Sequence, residues 1–144
     1  MLTLDEIVEM FELLGDWDQR YEYLVELGDQ MPDMPEQEKT DKHQVKGCMS
    51  LVYVCPHRNE NDPTKLFFTG FCDTAIIRGV LAILIQLCFD RTIDEINALD
   101  VDELFERLNL DEHLSPNRHV GVYAIVTLMK ELANDLVSKP VAIA

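Results

Sequence analysis

Basic residues are scarce in this chain. Its 144 residues include 12 Lys and Arg against 27 Asp and Glu, for a net charge of -15. A protein that binds nucleic acid needs clustered Lys and Arg to neutralise phosphates, and one held at an anionic membrane needs a polybasic segment. We therefore expect neither a nucleic-acid nor a membrane partner. A protein partner with a basic surface suits this charge better, because complementary charge speeds association.

Long hydrophobic runs and cysteine pairs are also missing. The longest uncharged apolar run, residues 79–89, is too short to span a bilayer and contains Gln86. The N-terminal residues turn acidic at Asp5 and Glu6, unlike a secretory signal. Four cysteines, 7, 17 and 16 residues apart, form no C-x-x-C pair. This spacing suggests reduced thiols, and we expect a cytoplasmic protein.

Hydrophobic spacing predicts two helices at the start of the chain. Apolar residues recur at helical intervals over 4–14 and again over 17–27. Gly15 and Gly28 follow these stretches and are predicted to end the two helices. The proline-containing, acidic segment 31–41 is predicted as an exposed connection.

The middle of the chain changes period. Residues 51–55 and 66–71 are rich in β-branched and aromatic side chains and predict two strands. The polar segment 56–63 between them suits a hairpin connection. Two strands alone are marginal, so either residues 43–46 add a third strand or helices cover one face.

The remainder of the chain is predicted to be helical. Residues 75–89 are apolar nearly all round, which is typical of a core helix, and Asp73 is a natural N-cap for it. Further N-caps are predicted at Thr92, Asp100 and Ser115. The predicted fold is α+β, a small antiparallel sheet packed against several helices. We expect one domain over 1–144, with its core at about 4–135 and a frayed tail at 138–144.

Cys48 is the principal candidate for chemistry. It follows Gly47, which permits a tight turn, at the boundary between a polar stretch and a strand. Nearby cations help a thiol to ionise; Lys46 is close in sequence, and Arg118 lies in the first turn of the last predicted helix. A small residue at a strand start would suit the same position, and the residues alone leave the two interpretations open.

The other candidate ligands give weaker signals. Cys55 and Cys88 lie in apolar runs and are predicted to be packing residues. Cys72 precedes a helix start and either fills space, resolves oxidised Cys48 or helps to hold a metal. The spacing of these cysteines and four histidines fits no zinc signature, so we expect no bound metal and no cofactor; the histidines are His43, His57, His113 and His119.

Three short motifs occur in a specific order, preceded by W-D-Q-R-Y at 17–21 and L-G at 27–28. They are V-K-G-C-M-S at 45–50, C-D-T-A-I-I-R-G at 72–79 and H-L-S-P-N-R-H-V-G at 113–121. In this order, over about residues 4–135, the chain resembles the SufE family, sulfur-acceptor partners of cysteine desulfurases. It departs from the family pattern at Tyr53, where tryptophan is common, and at Phe71 and Cys72, where aspartate and serine are usual.

The resemblance implies a SufE/IscU-like fold, shared with iron–sulfur scaffolds, and a sulfur-acceptor role for Cys48. The donor would be the persulfide of a pyridoxal-phosphate (PLP) cysteine desulfurase, SufS- or CsdA-like, and the recipient an assembly complex such as SufBCD. Asp73 and Arg118 would flank the acceptor cysteine. Lys46 and Arg118 would favour its anionic forms, while Asp73 and Ser115 would order the loop. Such a chain is an accessory protein rather than a stand-alone enzyme, and a homodimer is possible.

Two other classes of function remain open from the sequence. One is a metal- or cluster-binding scaffold of the IscU type that uses Cys48, Cys72 and a histidine. It is the weaker alternative, because IscU-type scaffolds use several cysteine ligands. The other is a bare interaction module in which Cys48 has no chemical role.

Overall fold

The computed structural model describes residues 3–139. The elements in chain order are helices α1 (Leu4–Leu14) and α2 (Trp17–Asp29), two 3-10 turns (Glu36–Glu38 and Asp41–His43), strands β1 (Val52–Arg58) and β2 (Lys65–Cys72), helix α3 (Ala75–Leu87), strand β3 (Arg91–Thr92), and helices α4 (Ile93–Asn97), α5 (Val101–Leu108) and α6 (Pro116–Val137). One antiparallel sheet has the order β1-β2-β3. The predicted α+β class is confirmed. Of the predicted frayed tail, residues 140–144 lie outside the described residues.

The core lies between one face of the sheet and the helices. Alternate residues of β1 and β2 point inward and are fully or nearly fully buried: Val52, Val54, Leu66 and Phe68. Helix α3 packs on β2 and α6 packs on β1. The helix predicted to be a core helix is one, since most of α3 is buried.

The sheet differs from prediction in two places. Strand β1 continues through Pro56 to Arg58, where a hairpin connection was predicted. It lies at an edge of the sheet, and an edge strand tolerates a residue that lacks an N–H. The third strand is β3 rather than residues 43–46, of which Gln44 forms a single bridge to Tyr53.

The sequence predicts that helix α2 ends at Gly28, but the structure differs. The helix continues to Asp29, and Gly28 instead serves a close crossing with α3. A Cβ atom at Gly28 would lie 2.9 Å from the Gly79 nitrogen, and one at Gly79 would lie 2.2 Å from the Leu24 carbonyl oxygen. Both glycines are required because the two backbones touch.

Arg78 ties the same crossing to the sheet. Its Nε donates to the carbonyl of Cys72, 3.0 Å away. Its guanidinium also pairs with Asp29, with 3.1 Å between the nitrogen and the carboxylate oxygen. Arg78, although it lies in a largely apolar helix, therefore has both a carbonyl and a carboxylate as partners.

The connection 31–41 is less exposed than predicted. Met34 retains 5% of its exposure. The Glu38 side chain retains 18% and lies against residues of β1 and β2 on the outer face of the sheet. The polar composition of this segment gave no sign that Met34 and Glu38 pack against the rest of the protein.

Replacing Gly79 with alanine should destabilise the protein. The added methyl would meet the backbone of Leu24, and overpacking of this kind costs about 1–3 kcal/mol. Gly121→Ala is the matched control, because its added methyl would meet only the Cys48 side chain. Urea unfolding measures both free energies. A free energy of unfolding for Gly79→Ala equal to that of the unmodified protein would contradict the close crossing.

Candidate functional site

Cys48 lies at a pocket of about 320 Å³. The pocket forms where the segment before β1 meets the N-terminal ends of α3 and α6. Its wall consists of residues from all three segments: Cys48, Met49, Ser50, Thr74, Ile77, Ser115, Asn117 and Arg118. The structure therefore brings together the three motifs that lie far apart in the sequence.

Gly47 and Gly121 place the sulfur of Cys48. Gly47 has a φ of +82°, a conformation that glycine adopts without strain, and it turns the chain just before the cysteine. Cys48 is half-buried. A Cβ atom at Gly121 would lie only 2.9 Å from its Sγ, so the sulfur rests against the backbone of α6. The sequence motif included Gly121, but only the fold shows its purpose.

Asp73 anchors the segment that carries Cys48. Its carboxylate accepts from the backbone N–H of Leu51 at 3.0 Å, and its own N–H donates to the Leu51 carbonyl at 3.2 Å. The hydroxyls of Ser50 and Thr74 form a second link at 2.6 Å. The prediction that Asp73 caps α3 is wrong: Thr74 is the N-cap, without a side-chain hydrogen bond. Asp73 orders the loop instead.

Arg118 and the start of α6 supply positive charge at the pocket. Ser115 caps the helix by accepting from the backbone N–H of Arg118 at 3.4 Å, as predicted, and Pro116 is the first helical residue. The unpaired N–H groups and the helix dipole make this end of α6 partially positive. The Arg118 side chain lines the pocket and makes no ion pair with any residue of 3–139.

Lys46 lies outside the pocket that Arg118 lines. Its Nζ bonds to the Asp41 carboxylate at 2.7 Å and to the Gln44 amide oxygen at 3.1 Å. The side chain is exposed and is not among the residues that line the pocket. Of the four predicted site residues, Cys48 and Arg118 thus share the pocket, Asp73 supports it, and Lys46 lies outside.

Helix α2 holds the turn that precedes α6, through residues to which the sequence analysis assigned no role. The Tyr21 hydroxyl donates to the carbonyl of His113 at 2.7 Å. Trp17 stacks on the His113 ring, with 3.7 Å between centroids and 16° between planes. The Arg20 guanidinium lies 5.3 Å from the centre of the Trp17 ring. The 17–21 motif therefore holds the turn that opens α6.

The other three cysteines are buried, which confirms the predicted packing of Cys55 and Cys88. Burial is the main cause that raises the pKa of Cys72 to about 11, with a hydrogen bond from the Thr74 backbone opposing it and the charge of Asp73 adding to it. Burial raises the pKa of Cys88 to about 12. Burial, followed by the charge of Glu38, raises the pKa of Cys55 to about 11. All three thiols are therefore neutral at pH 7.

Comparison with known proteins identifies the family to which this chain belongs. A family model described as SufE, an Fe–S metabolism associated domain, matches residues 5–133. An uncharacterized SufE-like protein of Rhizobium meliloti is 36% identical over 135 residues, which cover 92% of this chain and 96% of that protein. Another from Rhizobium etli is also 36% identical over 135 residues, 92% of this chain and 90% of that protein.

A solved structure shares the fold. The solution structure of a hypothetical protein from Thermus thermophilus has a TM-score of 0.76 and 14% identity, and the match covers 94% of this chain and 96% of that one. The sequence matches show that this chain belongs to the SufE family. Membership implies a sulfur-transfer role in iron–sulfur metabolism. Among residues 3–139, every helix is too short or too polar to cross a membrane.

A thiol reagent at about pH 8 should modify Cys48 first. Because burial raises the pKa of the other three thiols to about 11 or 12, their thiolate fraction at this pH is about 0.001 or less. We expect one fast equivalent per chain, and the slow phase should accelerate as the pH rises toward 11. The fast equivalent should disappear in Cys48→Ser and persist in Cys88→Ala. A fast phase that survives in Cys48→Ser would contradict this assignment.

Removing the Asp73 carboxylate should loosen the Cys48 segment. In Asp73→Ala the Leu51 N–H loses its acceptor, which should lower the free energy of unfolding by about 1 kcal/mol. Hydrogen exchange at the Leu51 amide should accelerate at the same time. Asp73→Asn keeps an acceptor oxygen and serves as the control. Unchanged exchange at Leu51 in the alanine variant would show that the anchor lies elsewhere.

Proposed function

We propose that Cys48 accepts sulfane sulfur from a cysteine desulfurase and carries it as a persulfide to iron–sulfur cluster assembly. One observation carries this proposal: among the four cysteines, Cys48 alone is not buried, and it opens onto a pocket that includes Arg118. Family membership supports the same role. The sulfur donor would be a PLP enzyme of the SufS or CsdA kind, and the recipient a complex such as SufBCD. The site would work in the cytoplasm.

The proposed chemistry is a thiol–disulfide type of exchange. The Cys48 thiolate attacks the outer sulfur of the desulfurase persulfide, and a new S–S bond forms as the old one breaks. The desulfurase cysteine leaves as a thiolate, and Cys48 becomes a persulfide. Cys48 reacts as an anion in both steps, first as the attacking thiolate and then as the persulfide. The positive end of α6 and the Arg118 guanidinium stabilise them.

The surroundings of Cys48 suit docking to a partner. Met49 is 83% exposed, Leu51 39% and Val120 58%, so exposed apolar side chains lie close in sequence to Cys48 and to Gly121, against which its sulfur rests. Such exposed apolar groups are typical of interaction sites. We infer that the Cys48 segment rests inward in the unbound protein and moves outward when the desulfurase docks. The PLP chemistry belongs to the partner, and this chain acts as its accessory.

The IscU-type scaffold has less support. Within residues 3–139, no group of three neighbouring His, Cys, Asp or Glu ligand atoms includes Cys48. Cys72, the second cysteine that such a scaffold would use, is 1% exposed, and its sulfur accepts from the Thr74 backbone N–H at 3.4 Å. A cluster ligand would have to leave that position. Sulfur carriage needs only the one accessible thiol.

Intact-protein mass spectrometry tests sulfur acceptance. The protein is incubated with a desulfurase, cysteine and PLP, and we expect a gain of one sulfur atom that a reductant removes. The gain should be absent in Cys48→Ser and present in Cys88→Ala, because Cys88 is buried at the C-cap of α3, outside the pocket. A gain that persists in Cys48→Ser, or none with any desulfurase, would overturn the proposal.

Two cation variants separate the contributions of charge. Arg118→Gln should slow sulfur acceptance by about tenfold, the effect of one charge-assisted interaction of about 1.4 kcal/mol. Lys46→Gln is the matched comparison and should slow it less, since Lys46 is paired with Asp41 outside the pocket. The reverse order would show that Lys46 moves into the site on docking.

A further inference from the structure

A second group of reactive side chains lies on the outer face of the sheet. Cys55 and His57 are two residues apart on β1, so both point to the same face. Thr69 pairs with Cys55 across the β1–β2 ladder. Glu38, from the 3-10 turn Glu36–Glu38, lies over all three. None of these residues lines the Cys48 pocket.

The side chains converge closely. The Nε2 of His57 lies 3.2 Å from a Glu38 carboxylate oxygen and 3.1 Å from the Thr69 hydroxyl. The Thr69 hydroxyl also donates to that Glu38 oxygen. One ligand atom from each of Glu38, Cys55 and His57 lies within 4.8 Å of the other two. Among residues 3–139, this is the one such trio of His, Cys, Asp or Glu.

The trio is also held in place. The His57 ring stacks on Phe67, its partner across the strands, with 5.0 Å between centroids and 16° between planes. The Cys55 residue retains 7% of its exposure, and the side chains of Glu38 and His57 retain 18% and 28%. The trio is therefore largely shielded from solvent and held in a fixed orientation, and His57 is its most exposed member.

We propose that Glu38, Cys55 and His57 form a binding site for a divalent transition metal, with Zn²⁺ the best match. A thiolate, an imidazole and a carboxylate are the ligands that Zn²⁺ uses, whereas Ca²⁺ and Mg²⁺ require oxygen ligands. Ligand bonds of about 2.0–2.1 Å in a tetrahedron place neighbouring ligand atoms about 3.3 Å apart. The 3.2 Å between the His57 nitrogen and the Glu38 oxygen already matches that separation.

Binding would balance charge and protons. The Cys55 thiol would lose its proton to solvent, and His57 would carry its remaining proton on Nδ1, so that Nε2 can coordinate. One thiolate and one carboxylate then neutralise the dication. Three protein ligands leave a fourth position, which a water hydrogen-bonded to Thr69 would fill. The metal would fasten the 3-10 turn to the sheet.

Cobalt titration tests the site, because Co²⁺ is a coloured substitute for Zn²⁺ and a thiolate ligand gives it a charge-transfer band. The full reduced chain is used in a Cys48→Ser background, so that sulfur at the first site cannot contribute and failure of the persulfide proposal would not affect the result. We expect one equivalent of Co²⁺ to bind with that band and one equivalent of Zn²⁺ to displace it.

Variants then assign the ligands. Cys55→Ser should abolish the charge-transfer band, and Cys88→Ala, at a buried cysteine outside the trio, should leave it intact. Glu38→Gln and His57→Gln should each weaken Co²⁺ binding by about 100-fold or more, and Thr69→Val, beside the ligands, by about tenfold. If Cys55→Ser folds poorly, the His57→Gln titration decides. No band at saturating Co²⁺, or a band unchanged in His57→Gln, would overturn the proposal.

Discussion

Helix α2 crosses α3 so closely that a side chain at Gly79 would collide with the carbonyl of Leu24. This contact fixes where α2 lies, and the pocket depends on α2 in turn. Trp17 and Tyr21, at the start of α2, hold His113 by stacking and by a hydrogen bond. The position of the turn at His113 sets where α6 begins. The backbone against which the Cys48 sulfur rests is therefore placed by a contact between two other helices.

The β1–β2 ribbon has two faces with different environments. Its inner residues, such as Val52 and Val54, are fully buried in the core. Its outer residues, including Cys55 and His57, face a folded-back connection rather than bulk water. Because side chains alternate along a strand, one short strand supports both the core and a separate polar group. The same strand also continues from the Cys48 segment, so it joins two sites that share no residue.

The sequence predicted the features whose causes are local. The cap of α4 is an example: the Thr92 side chain accepts from Glu95, and the Glu95 side chain accepts from Thr92 three residues away. Features that arise from distant contacts escaped prediction. Gly28 resembles a helix end until Gly79 is placed against it. Asp73 resembles a cap until its acceptance from Leu51, 22 residues upstream, is visible.

The candidate site shows the same division. The motif order predicted Cys48, and charge and helix position predicted Arg118, but nothing local distinguishes Lys46 from Arg118. Only the fold shows that Asp41 holds Lys46 outside the pocket. The trio of Glu38, Cys55 and His57 was equally hidden, because Glu38 lies 17 residues before Cys55 in a segment whose composition predicts a solvated loop.

Burial sets three of the four cysteines apart. A thiolate is costly to form away from water, and this cost raises the pKa values of Cys72 and Cys88 well above the usual range. Cys48 is half-buried: Gly47 turns the chain just before it, and Gly121 lets its sulfur rest against α6. The sulfur of Cys48 is therefore partly accessible and held in place, the two conditions that the proposed persulfide would need. Two glycines, 74 positions apart in the sequence, provide them together.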